Sequence, residues 1–216
     1  MAIYNTIVQF FQSGGVFMYP IFLVLAVGIA IALERWFSLT RARISSQRLW
    51  KQLAPSLQAG RFREAMNAAA SSRTAIGKIL NYGLSRVGSA RRRDDIEMAM
   101  EEGLMEVIPR LEKRTHYLAT LANIATLLGL LGTIIGLIDA FTAVSNANPA
   151  EKADMLSASI SVAMNTTAFG LMVGIPLLLI HTWLQTKTTE VVDSLEMASV
   201  KVINLITDHA RKEATQ

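Results

Sequence analysis

Hydrophobic positions gather into three long runs, residues 16–33, 118–144 and 156–183. A bilayer core about 30 Å thick needs roughly 20 apolar residues per helix, so each run predicts a membrane-spanning helix. The second and third runs are not uniform. They read LLGLLGTIIGLIDAF and SVAMNTTAFGLMVGIP, with glycines, threonines, an asparagine and Asp139 where a simple anchor would carry leucines. Polar groups at that depth are costly and need partners, which points to packed helices or an ion path.

Between the first and second runs the pattern is helical and polar. Gly60 and the Ser71-Ser72 pair punctuate RFREAMNAAA, and residues 77–87 give a short amphipathic segment. A longer helix opens at Arg91-Arg92-Arg93-Asp94-Asp95 and carries Ile96, Met100, Leu104, Val107, Ile108 and Leu111 at three- and four-residue steps. Pro109 kinks this helix. No turn signal follows, so the reading runs it unbroken through His116 into the second span. Residues 145–152, rich in turn formers, join the second and third spans as an antiparallel hairpin. Beyond Trp183, Val191, Val192, Leu195, Ala198, Val202, Leu205 and Ile206 recur at helical spacing, so the third span is expected to extend past the membrane.

Charge adds a direction. Of the 21 Lys and Arg, 15 lie between Arg41 and Arg114, four follow Trp183, and none precedes the first span. Only Lys152 lies between the second and third spans. The positive-inside rule then predicts an N-out, C-in chain whose middle region and tail are cytoplasmic. Residues 3–11, without a basic leader, read as an amphipathic helix on the outer interface rather than a cleaved signal.

The fold class expected is an all-α integral membrane protein. Its divisions are a periplasmic-side interfacial helix at 1–15, spans at 16–37, 117–144 and 156–184, a cytoplasmic helical domain at 38–116, an outer loop at 145–155 and a cytoplasmic helix at 185–216.

The composition, 51% hydrophobic and 18% charged, agrees with membrane insertion. The net charge of +4 follows from topology and does not imply nucleic acid, because no basic-aromatic recognition module is present. With no cysteine there is no disulfide or thiol chemistry. No nucleophile–base pairing, metal-ligand cluster or phosphate loop argues for an enzyme, a cofactor or a bound metal.

Two sets of residues carry the candidate chemistry. Gly129, Gly132 and Gly136 share one face of the second span, and Gly170 and Gly174 form a small-xxx-small pair on the third, suited to close helix packing. Thr133 on the second span, with Asn165, Thr166 and Thr167 on the third, can return their hydroxyls to their own helices or line a hydrated path. Asp139, near the outer end, is either an interfacial carboxylate or a cation-attracting mouth. His116 and His181 flank the spans on the cytoplasmic side. No ionisable residue occupies the middle of any span, so a titrating carboxylate for ion transfer would have to come from another chain.

Three stretches, QSGGVFMYPIFLVLAVGIAIALERW, LATLANIATLLGLLGTIIGLIDAF and NTTAFGLMVGIP, resemble the ExbB/TolQ/MotA proton-channel proteins of bacterial inner membranes, closest to the three-span ExbB/TolQ branch. That resemblance implies a homopentamer around a central pore that holds the single-span helices of an ExbD- or TolR-like partner with an ion-carrying aspartate. It also implies work delivered to a TonB-like protein or to an envelope-tethering system. Thr133 and Thr167 match the family's pore threonines, Pro176 its third-span proline, and Glu34-Arg35 the pair ending the first span. Val162 stands where relatives often carry glutamate, and Thr166 adds a hydroxyl, so the ion stays open between proton and sodium. Against this motor stands a helical scaffold whose glycines and threonines only pack helices.

Overall fold

The computed structural model describes residues 14–88, 92–145 and 148–213. The expected interfacial helix at 3–11 and the charged start at Arg91 lie outside them. The described residues form helices α1 Met18–Gln58, α2 Phe62–Ala70, α3 Ala75–Arg86, α4 Arg93–Glu112, α5 Thr115–Ser145 and α6 Lys152–Glu213, with no strand among them. Helices α1, α5 and α6 each contain a segment long and apolar enough to cross a membrane. The chain divides into two units: residues 1–34 with 114–183, and residues 35–113 with 184–216.

As expected, α6 continues far past its apolar run. It is 62 residues long. The region after the first span was expected to be helical, and the structure adds that it is one helix with that span, α1, which runs to Gln58 with Pro55 inside it.

The second unit, residues 35–113 with 184–216, has a conventional core. Leu49, Leu53 and Leu57 of α1 and Val191, Leu195, Ala198, Val202 and Ile206 of α6 are buried at helical steps. Ile76, Ile79, Leu80 and Leu84 of α3 are buried, as are Ile96, Met100, Val107 and Leu111 of α4. Gly103 lets α4 approach α3 closely, since a methyl there would sit 2.9 Å from the Ile79 Cα. Gly60 makes the turn into α2 at φ +73, a conformation that glycine adopts without a Cβ penalty. Thr74 caps α3 by accepting from the Gly77 N–H at 3.1 Å. At the start of α4 the Asp95 carboxylate accepts from the Arg92 N–H at 3.1 Å, and Asp94 and Asp95 complement the helix dipole.

One sequence expectation is corrected here. The α4 helix does not run through His116: it closes at Glu112, three residues after Pro109, and α5 begins afresh at Thr115. Lys113 is extended (φ −47, ψ 134) and Arg114 is left-handed at φ 69. The side chains of α1 meet the loose ends. Within the second unit, the buried Arg35 guanidinium donates to the Leu111 carbonyl, one of the orphan acceptors at the end of α4. Within the first, Glu34 pairs with Arg114 at 3.7 Å. Neither Lys nor Arg is a turn former, so the break left no local signal.

Candidate functional site in the membrane unit

Helices α5 and α6 meet backbone to backbone. A methyl added to Gly170 would lie 2.7 Å from the Ala125 carbonyl oxygen and 2.9 Å from the Gly129 Cα. One on Gly129 would lie 3.2 Å from the Cα atoms of both Gly170 and Thr167, and one on Gly136 would lie 2.9 Å from the Ala163 Cβ. Gly174 faces the Ala122 carbonyl and the Thr126 hydroxyl at 3.0 and 2.6 Å from the same added position, and Gly132 packs on the Thr166 side chain. The five glycines singled out by spacing thus all sit in one contact. Lipid tails offer no hydrophobic drive between helices, so close packing of this kind supplies the attraction instead.

The threonines divide by role. Thr167, half-buried, donates its hydroxyl across the contact to the Gly129 carbonyl at 2.8 Å. Thr166 is buried; its single proton is shared between the Gly14 carbonyl and its own Val162 carbonyl, the latter at 3.1 Å. That hydroxyl is committed to joining α6 to the turn before α1. Thr133, half-buried, returns its hydroxyl to the Leu130 carbonyl at 2.6 Å. It lies one residue past Gly132, at the edge of the contact rather than within it.

The other candidates sit apart from this cluster. Asn165 is half-buried on α6, and Asp139 is exposed towards the C-terminal end of α5, with no ion pair among the described residues. Pro176 is exposed on α6 and leaves the Met172 carbonyl without its helix donor. Val162 packs near the left-handed Gly15, whose added methyl would meet its Cγ1 at 3.3 Å.

Sequence reading did not single out Thr126, Asn123 or Thr120. Thr126 lies seven residues before Thr133 on the same edge of α5 and bonds to the Ala122 carbonyl at 3.0 Å. That seven-residue step was visible in the sequence. Asn123 and Thr120 add exposed polar groups to the N-terminal part of α5. His181 contacts the Thr115 carbonyl through Nδ1 at 3.0 Å, and because a carbonyl only accepts, Nδ1 carries the proton.

Outside the contact the spans present large apolar side chains, among them Leu127, Ile134, Ile138 and Phe141 of α5 and Leu171, Ile175 and Leu179 of α6. One helix pair therefore combines a glycine seam, hydroxyls on and beside that seam, and a lipid-compatible exterior.

The same stretch is where likeness to known proteins concentrates. Residues 71–197 match the MotA/TolQ/ExbB proton channel family. The chain belongs to this family. A protein of Methanothermobacter thermautotrophicus described as a biopolymer transport ExbB homolog is 30% identical over 196 residues, 90% of this chain and 68% of that protein. An ExbB-like biopolymer transport protein of Synechocystis is 28% identical over 172 residues, 79% of this chain and 67% of that one. The Tol-Pal system protein TolQ of Haemophilus influenzae is 38% identical over 78 residues, 36% of this chain and 34% of TolQ. With three apolar helices and these relatives, the chain is a multi-pass membrane protein of the proton-channel kind, of the biopolymer-transport or Tol-Pal type.

Proposed function

We propose that the chain is the pore-forming subunit of an ion-driven motor in a bacterial inner membrane, oriented N-out and C-in and assembled as a homopentamer. Thr133, at the edge of the helix contact, and Thr167, on the glycine seam, face the transmembrane aspartate of an ExbD- or TolR-like single-span partner. The observation that carries this reading is an asymmetry. The α5–α6 pair spends its glycines on close packing and keeps a threonine at the edge, half-exposed, where the apolar exterior has leucines and isoleucines.

Threonine hydroxyls do not titrate, so by themselves they cannot carry a proton. They can solvate a carboxylate as it gains and loses one, which makes them the wall of a site whose acid belongs to another chain. Asp139 then serves as the outer mouth that gathers cations. Protons are the ion this reading favours. The energy reaches a TonB-like protein and outer-membrane transport, or, in the Tol-type alternative supported by the TolQ match, envelope maintenance.

A scaffold reading has its own support, since Thr166 and Thr167 both make packing hydrogen bonds. Valine substitutions separate the two. Under the motor reading, Thr133→Val leaves assembly intact and abolishes transport driven by the complex. Normal energised transport in that variant would favour the scaffold.

A further inference from the structure

Two unlike surfaces of the second unit are complementary in charge. The first is a cleft of about 500 Å³ between α1, the start of α3 and α6. Trp50, Lys51, Met197 and Lys201 line it, and no carboxylate does, although Asp193 and Glu196 are close in sequence on α6. Neither lysine has an ion-pair partner among the described residues. Ser46 also lines the cleft; it is 5% exposed and its hydroxyl has no hydrogen-bond partner. Met197 is 56% exposed.

The second surface is the outer face of α4. Its inner face buries Ile96, Met100, Val107 and Leu111 against the core. Roughly opposite, at 100° per residue, Met98 and Met105 lie along one line and are 63% and 72% exposed. Asp94, Glu101, Glu102 and Glu112 flank that line within about 60°, and none has an ion pair among the described residues. The result is an apolar ridge with an acidic border.

We infer that the α4 ridge of one copy docks in the α1–α6 cleft of a second copy. Methionines adapt to an irregular apolar wall, so Met98 and Met105 suit the floor of the cleft around Trp50 and Met197. The border carboxylates meet Lys51 and Lys201. Because the two patches differ, the contact is heterologous: each copy offers a ridge to one neighbour and a cleft to the other, which closes into a ring or continues as a filament. The inference rests on self-assembly but not on ion transfer.

The chain has no cysteine, so engineered thiols report on it without background. Two differently tagged full-length copies, one with Met105→Cys and the other with Met197→Cys, are co-expressed in membranes and treated with a short bis-maleimide. The expected product is the mixed dimer, at least about tenfold above either same-site dimer. Lys51→Glu with Lys201→Glu in the cleft copy lowers that yield about tenfold, and Glu101→Lys with Glu102→Lys in the ridge copy restores it. Same-site dimers alone, or no cross-link although both thiols react with a monofunctional maleimide, would overturn the contact. A native mass that remains oligomeric in that case leaves self-assembly standing and removes only this interface.

Discussion

The Thr167 hydroxyl donates to the Gly129 carbonyl 2.8 Å away on the facing helix, at the point where the glycines bring the two backbones closest. One threonine thereby stands in both readings, as a packing bond and as a pore hydroxyl. An interhelical hydrogen bond of this sort contributes only about 0.6 kcal/mol in a membrane. Thr167→Val is therefore expected to leave the protein assembled and its thermal midpoint in detergent nearly unchanged, while driven transport is lost. A large fall in assembly would assign Thr167 to packing alone.

Glycine-to-large substitutions act differently. At Gly170 a side chain meets the Ala125 carbonyl and the Gly129 Cα, which are backbone atoms that cannot rotate away. Overpacking usually costs about 1–3 kcal/mol, and a site walled by backbone falls at or above the top of that range. Gly170→Leu is expected to lower membrane-extracted yield and to separate α5 from α6, read as loss of a cross-link between cysteines placed on the two helices.

Protonation provides a third test, in the second unit. Glu106 receives the Tyr82 hydroxyl at 3.1 Å and the Lys78 ammonium at 3.3 Å, tying α3 to α4. The Tyr82 hydrogen bond first, then Lys78, hold its carboxyl below the ordinary value of 4.5. A lowered folded value means that the ionised form favours the fold. The contribution is present above the unfolded carboxylate range and is lost as pH falls through the lowered folded value. Amide exchange in α3 and α4 should accelerate in that acid window, and Glu106→Gln should remove the pH dependence.

The Arg35 guanidinium is buried and caps the end of α4. A hydrogen bond from a charged donor is worth about 1.5–3 kcal/mol, and removing the side chain also leaves a void. Arg35→Ala is expected to expose the last turn of α4 to hydrogen exchange while α3 stays protected. Unchanged exchange in that turn would show that Pro109 and Lys113 end the helix without help.

Much of this was written in the chain. Three spans followed from apolar length, and the glycine seam from three- and four-residue spacing, because both depend on local periodicity alone. What failed was set by partners distant in sequence. The stop after Glu112 needs Arg35, 76 residues away, to satisfy the Leu111 carbonyl. The burial of Thr166 depends on Gly14, 152 residues away. By residue type alone the neighbouring Thr166 and Thr167 had the same options, and only the family resemblance told them apart. The structure separates them by one step of helix rotation, turning the first towards the turn before α1 and the second into the glycine seam.

The central claim is that the threonines of α5 and α6 are half of an ion site whose acid belongs to another chain. Proton flux into liposomes tests it most directly, with the purified protein alone and with its single-span partner. The account predicts background flux from the chain alone, flux with the partner, and its loss when Thr133→Val is introduced. Robust proton flux through the chain alone, unaffected by that substitution, would contradict it.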